Sequence, residues 1–180
     1  ILSAAKKYIV EKNTEAVDWF GTETISRPAM AGYRALRMLY EEDYEFLLTL
    51  TPSHWENWSP VIFTQWVTYE NGEEKIRNHL LKLAYEQAPD RVITDLLRLI
   101  DKDDQRHSDV FILGSIDDCW DDRLGKSILD KVKEQVLQPR SMKRLLRELL
   151  KHKISETEEF ARFLISKSLL EKDEISEQSI

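Results

Sequence analysis

The chain has 180 residues, of which 42% are hydrophobic and 33% charged, and its formal net charge is -7. This length suffices for one domain with a core, or for about five helix pairs, and the negative charge argues against nucleic acid as the default partner. No apolar run approaches the roughly 18 residues of a membrane span. Cys119 is the single cysteine and has no second thiol to pair with, so we expect a cytoplasmic protein.

The first 70 residues predict irregular helices. A helix is expected over residues 1–12, and Asn13 with Thr14 is a plausible cap for a short helix at 15–20. A loop at 21–27 precedes a helix that begins at Pro28, because proline suits the first helical position. The turn at 41–43 leads into a partner helix at 44–50.

Residues 51–69 form an aromatic centre. Trp55, Trp58 and Trp66 are interpreted as core residues, with a partner-binding surface as the alternative. Ser59 is placed to cap a new helix that begins at Pro60 and ends near residues 71–72.

A regular repeat follows. A helix at 73–87 is paired with one at 91–100, and residues 104–136 predict a second pair of short helices. A shift of 32 residues superimposes the apolar positions of the two pairs: Leu80, Leu81, Ala84, Val92, Leu96, Leu97 and Ile100 correspond to Ile112, Leu113, Ile116, Leu124, Ile128, Leu129 and Val132. Such a period is typical of stacked helical repeats.

A third pair begins at Pro139. Its first helix carries the apolar residues Met142, Leu145, Leu146, Leu149 and Leu150, and its second carries Phe160, Leu164 and Ile165. The offsets between equivalent positions indicate a turn near 153–156 that is about three residues longer than in the second pair. The repeat therefore predicts an all-α fold, an α-α superhelix or HEAT-like solenoid of stacked antiparallel helix pairs.

We expect one helical-repeat domain over residues 1–170, with irregular helices at 1–70 and regular repeats at 73–170. Residues 171–180 are acidic and polar, and predict a flexible tail. Because the sequence opens directly into a helical pattern, it is interpreted as part of a longer protein.

The sequence contains no convincing catalytic, cofactor or metal constellation. Gly125-Lys126-Ser127 lacks the earlier glycine and the preceding strand of a phosphate-binding loop. The aspartates at 117, 118, 121 and 122 do not have the spacing of a calcium loop, and are better explained as helix caps. The four histidines and Cys119 show no metal-ligand spacing. We therefore predict a protein that is not an enzyme and needs no cofactor or metal.

The most specific polar pattern is a basic face on the helix at 139–151. Five cations occupy one arc of this helix, opposite its apolar residues: Arg140, Lys143, Arg144, Arg147 and Lys151. Glu148 intrudes only at the edge. The basic face is a candidate surface for an acidic protein, a nucleic-acid backbone or a phosphate group, and a solvated helix face is the plainer alternative.

Several short stretches together resemble the helical-repeat region that follows the NTPase module in cyanobacterial NACHT-type proteins, a branch of the signal-transduction NTPases. They span roughly residues 27–166: PAMAGYRALR at 28–37, WENWSP at 55–60, LAYEQAP at 83–89, LIDKD at 99–103, VFIL at 110–113 and DCWD at 118–121.

The resemblance implies a regulatory role. In such proteins the NTPase module switches between resting and oligomerised states, the C-terminal repeats act as sensor or scaffold, and some bacterial relatives act in defence against phage. The expected partner is then a protein, either the NTPase module of the parent chain or an external ligand. The alternative from the residues alone is a nucleic-acid-binding helical repeat that uses the basic face.

Overall fold

A computed structural model describes residues 1–14, 19–22, 26–64, 72–134 and 136–166. Within these ranges every regular element is helical and no strand occurs. The all-α prediction is therefore confirmed for this part of the chain. The predicted tail at 171–180, most of the predicted helix at 15–20, and Trp66 lie outside the described residues.

Nine α-helices and one 3-10 helix are found in the described ranges. The α-helices are α1 (Leu2–Glu11), α2 (Arg27–Glu42), α3 (Tyr44–Leu48), α4 (Pro52–Thr64), α5 (Glu73–Gln87), α6 (Pro89–His107), α7 (Asp122–Lys133), α8 (Pro139–Lys151) and α9 (157–166). The 3-10 helix, Ile112–Cys119, follows α6 in the chain and is kinked at Ile116.

The chain divides into two compact units. The first contains Ile1–His107 and Phe111–Cys119, and the second contains Ser108–Val110 and the chain from residue 120 onward. In the first unit α1 packs on α2, and α5 packs against α4, α6 and the 3-10 helix. In the second unit α7 packs on α8. The single continuous domain stays a prediction.

Two tryptophans of α4 lie in the core of the first unit. Trp55 and Trp58 are each 1% exposed, and the Trp58 indole N–H donates a 2.9 Å hydrogen bond to the carbonyl of Ile9 in α1. Gly32 of α2 lets α2 and α4 approach closely, since a side chain at this position would collide with the Trp58 ring. The core interpretation is therefore confirmed for these two residues.

The predicted helix start at Pro60 is wrong. Helix α4 runs without interruption from Pro52 to Thr64 and contains Pro60 in its interior. Ser59 does not cap a helix, because its hydroxyl is fully buried and donates to Asp95 of α6. Burial of one continuous apolar surface outweighs the hydrogen bond that proline cannot donate.

The segment predicted to open the second repeat is not an α-helix. Helix α6 extends to His107, beyond the predicted end at residue 100, and Ser108 then adopts a positive φ of 53°. The following segment forms a 3-10 helix, and Asp103 caps its start. Asp103 Oδ2 accepts from the N–H groups of both Phe111 and Ile112, at 2.7 and 3.1 Å. Side-chain capping of this kind favours a tight turn over a longer α-helix.

The burial pattern agrees with the 32-residue repeat. Most of the paired apolar positions are buried in both copies, and Leu97 and Ile112 are partly exposed. Helix α5 also packs against the 3-10 helix, which is its counterpart in the predicted repeat.

Helix α8 begins at Pro139, as predicted. Leu145 and Leu149 of α8 are fully buried, whereas Leu150 is 45% exposed and Ile165 of α9 is 62% exposed. Leu150 lies about 100° around the helix from Leu149, outside the narrow face that packs.

The turn predicted near residues 153–156 joins α8 to α9. Lys153 and Glu156 both have positive φ values, 54° and 64°, and Ile154 between them is buried. The Ile154 side chain lies against Gly125 of α7, where an added Cβ would collide with it. Glu156 also accepts a 2.7 Å hydrogen bond from Lys133 of α7. This contact raises the pKa of Lys133 and lowers the pKa of Glu156.

Candidate functional site

Helix α8 separates its apolar and basic residues onto different sides. Pro139 occupies the first turn, where its missing N–H costs nothing, and Leu145 and Leu149 anchor the helix in the second unit. With that side fixed inward, the periodicity of the helix directs the cations of the basic face outward. Arg140, Lys143 and Arg147 are exposed, and Arg144 is partly buried.

The basic face lines a groove of about 400 Å³. Four of its five predicted residues lie along it: Arg140, Lys143, Arg144 and Arg147. Two carboxylates complete the lining, those of Asp109 and Glu148. Four cations against two carboxylates leave the groove with an excess of positive charge, in a chain whose net charge is -7.

The two carboxylates each contact a cation of the basic face. Arg144 Nη1 lies 3.5 Å from Asp109 Oδ2, and Lys151 Nζ lies 3.0 Å from Glu148 Oε2. Lys151, the fifth predicted residue, does not line the groove but contacts Glu148, which does. For Arg140, Lys143 and Arg147 no carboxylate lies within ion-pair distance among the described residues.

His152, at the end of α8, is held by aromatic stacking. Its ring lies parallel to the indole of Trp120, with centroids 4.4 Å apart and planes at 7°. His152 Nε2 lies 4.0 Å from Glu148 Oε2, the same oxygen that contacts Lys151. The stack fixes the C-terminal end of the basic face relative to the segment that precedes α7.

Two parts of this site were missed or undervalued in the sequence. Asp109 lies 35 residues before Arg144 and belongs to the Ser108–Val110 segment, so no local pattern joins it to α8. Glu148 is predicted at the edge of the basic face but lines the groove. The sequence signal for Glu148 was its spacing, since it lies four residues after Arg144 and three before Lys151.

The other candidate motifs have structural roles. Gly125 is buried inside α7 against Ile154, and Asp121 caps α7 by accepting a 2.8 Å hydrogen bond from the N–H of Leu124. The capping interpretation of the aspartate cluster is thus confirmed for Asp121. Cys119 is buried. Among the described residues, no group of three or more His, Cys, Asp or Glu side chains is arranged to hold a metal ion.

A larger open depression, of about 570 Å³, lies in the first unit between α1 and α2. Of its arginines, Arg37 is bound by Glu41 and by Glu73 of α5, and the contact with Glu41 raises the pKa of the Arg37 guanidinium. Glu41 and Glu42 also line the depression. Its charges are therefore largely compensated from within the protein, unlike those of the groove on α8.

Comparison with protein-family models, with curated proteins and with solved structures finds no match to this chain. In the described ranges no helix is both long and apolar enough to cross a membrane.

Proposed function

We propose that this chain is a non-catalytic protein-interaction scaffold that binds an acidic partner through the basic face of α8. The observation that carries the proposal is the groove with three cations, Arg140, Lys143 and Arg147, that no described carboxylate neutralises. A partner's carboxylates would occupy positions like those that Asp109 and Glu148 already hold. Arginine suits this role because its planar guanidinium binds carboxylates at two points.

The architecture we propose is a HEAT-like solenoid of stacked antiparallel helix pairs. It is supported by the 32-residue period, by the matching burial of equivalent positions, and by the packing of α5 on its counterpart, the 3-10 helix. Stacked repeats present extended surfaces on which a partner can dock. A partner bound at such a surface can shift a neighbouring module between two conformations. The size of the shift is set by the difference between the partner's affinities for the two conformations.

In the parent protein, the role we propose is that of the C-terminal regulatory repeats of a NACHT-type NTPase. The support is the set of short stretches between residues 27 and 166, which resemble that region in cyanobacterial proteins. The partner would be the NTPase module itself or an external ligand, in signalling or bacterial defence. Any NTPase activity would belong to another part of the parent protein.

A nucleic-acid-binding repeat is the second candidate, and the same groove is the observation that favours it. A row of arginines and lysines on an exposed helix face also fits a phosphate backbone. The net charge of -7 opposes it, because the rest of the chain repels an extended polyanion.

The test is affinity capture from lysate with the 180-residue chain, followed by identification of proteins and nucleic acids. The variant is R140E/R147E, which reverses two exposed cations of the groove that lack a described carboxylate partner. It is preferable to reversal of Arg144 and Arg147, because a glutamate at 144 would face Asp109. The matched control is K75E/K82E on α5, which makes the same charge change at exposed positions of the first unit.

We expect the wild-type chain and K75E/K82E to capture the same protein, and R140E/R147E to lose it. Capture that is unchanged by R140E/R147E would reject the basic face as the binding surface. If the wild-type chain captures nucleic acid instead of a protein, and R140E/R147E does not capture it, the nucleic-acid-binding function replaces the protein-interaction function.

A further inference from the structure

The three cations of the groove that pair with no carboxylate of the described residues form a row along α8, called the ladder below. Arg140, Lys143 and Arg147 stand at positions i, i+3 and i+7 of one helix. At a rise of 1.5 Å per residue their Cα atoms are about 4.5 and about 6 Å apart along the helix axis, and about 10.5 Å from first to last. Asp109 and Glu148 flank this ladder and line the same groove.

We propose that the occupant of this groove is an acidic α-helical segment of a partner protein, with carboxylates at positions i, i+3 and i+7. This inference rests on the proposed function and specifies the partner's chemistry. A helix that lies parallel to α8 repeats the same axial spacing, so three carboxylates meet three cations in register. Asp109 on Arg144 and Glu148 on Lys151 show that this face already binds carboxylates, at 3.5 and 3.0 Å.

An extended peptide fits the ladder less well. Side chains on one face of a strand recur about every 6.6–6.8 Å, so three carboxylates span about 13 Å. This span is about 3 Å longer than the distance from the first to the last cation of the ladder. A helix places the same three carboxylates within two turns, with no such mismatch.

A nucleic-acid duplex fits the charge of the groove less well. A duplex carries one negative charge for about every 1.7 Å of its axis, which is roughly six along the about 10.5 Å of the ladder. Three cations leave much of that charge unmet, and Asp109 and Glu148 border the same groove. Three carboxylates on a short helix match the three cations one for one and end where the ladder ends.

The experiment uses two alanine-rich peptides of identical composition. In one peptide three glutamates stand at i, i+3 and i+7, and in the other they stand at i, i+2 and i+4. Fluorescence anisotropy measures the binding of each peptide to the full chain, to R140E/R147E and to K75E/K82E, at low and at physiological salt. Circular dichroism reports whether the bound peptide becomes helical, and a short single-stranded DNA and a DNA duplex serve as competing polyanions.

We expect the i, i+3, i+7 peptide to bind up to about fivefold more tightly than its isomer and to gain helicity, since the isomer can place only its glutamates at i and i+4 on one face and so forms one ion pair fewer. R140E/R147E should weaken it by about tenfold, K75E/K82E should leave it unchanged, and salt should weaken it. Equal binding of the two peptides, tighter binding of either DNA, or no binding of either peptide would overturn the inference.

The two proposals fail in different ways. Equal binding of the peptides that is still lost in R140E/R147E rejects only the helical partner and leaves the acidic-partner scaffold in place. Lysate capture that R140E/R147E does not change rejects the proposed function, whatever the peptides do.

Discussion

The hydroxyl of Ser59 donates a 2.9 Å hydrogen bond to Asp95 Oδ2, and this bond joins α4 to α6 inside the first unit. Arg91, one turn before Asp95 on α6, donates to the same oxygen at 2.9 Å. Ser59 and Asp95 are 0% and 3% exposed, whereas the Arg91 side chain reaches solvent. A buried carboxylate is tolerated here because two donors converge on it.

Replacing Ser59 by alanine should lower the free energy of unfolding by about 1.5–3 kcal/mol, the range for a hydrogen bond to a charged group. The carboxylate of Asp95 would keep only the donor from Arg91. Urea denaturation measures the loss. Ser127→Ala on α7 is the control, since that hydroxyl only bonds back to the Arg123 carbonyl of its own helix. Equal stability of the two variants would show that the Ser59 hydrogen bond contributes nothing.

Asp95 should also make stability depend on pH. Burial raises the pKa of its carboxyl, and the charge and hydrogen bond of Arg91, followed by the hydrogen bond of Ser59, offset only part of that effect. The folded protein therefore holds this proton more tightly than the unfolded chain does. The resulting stabilisation is complete below the unfolded pKa, about 3.9, and is lost as the pH rises through the folded value.

Asp95→Asn removes this titration and keeps an oxygen that accepts from Ser59 and Arg91. We expect the wild-type chain to lose stability relative to Asp95→Asn as the pH rises from about 4 to about 7. Parallel urea titrations across that range measure the difference. If the wild-type chain instead gains stability relative to Asp95→Asn over this range, the attraction of Arg91 would have a larger effect on the pKa of Asp95 than burial does.

Gly32 is required where α2 crosses α4. A Cβ at this position would overlap three atoms of the Trp58 ring, which is buried and cannot move aside. Gly32→Ala should therefore cost about 3 kcal/mol or more, the upper end of the overpacking range. Gly114→Ala is the matched control, because nothing lies within 4 Å of its added Cβ, and it should change stability by about 0.5 kcal/mol or less. Thermal denaturation compares the two, and similar losses would contradict the close packing at Gly32.

Gly125 and Ile154 should behave as a coupled pair in the second unit. Gly125→Ala gains about 1 kcal/mol in helix propensity but forces the new Cβ against Ile154, so we expect a net loss of stability. Ile154→Ala alone should cost about 2–5 kcal/mol by leaving a cavity. The double variant should lose less than the sum, because each change fits the other. Strict additivity in the double-mutant cycle would show that the two side chains do not meet.

Local sequence rules predict α7 and α8 well, for a physical reason. The start of α8 at Pro139, the cap at Asp121 and the buried positions Leu124 and Leu145 all follow from spacing and capping within one helix. The wrong prediction that Ser59 caps a helix arises from a contact that is distant in the sequence. Its hydroxyl is bonded to Asp95, 36 residues away, so nothing near Pro60 in the sequence distinguishes a cap from a buried donor.

In the candidate site, too, the features set within one helix were predictable and the contacts between distant residues were not. The basic face was predictable because its five cations share one arc of a single helix, and four of them line the groove. The contribution of Asp109 was not predictable, because the Ser108–Val110 segment reaches α8 through tertiary structure. The 3-10 helix was missed similarly, since the Asp103 side chain that caps it lies in a helix whose end was predicted too early.

Hydrogen exchange on the complex with the captured partner tests the central claim, that α8 carries the binding surface. Amide exchange of the 180-residue chain would be compared with and without that partner. We predict slower exchange on binding in α8, residues 139–151, and in the Ser108–Val110 segment that carries Asp109. Protection confined to the first unit, with α8 unchanged, would contradict the account.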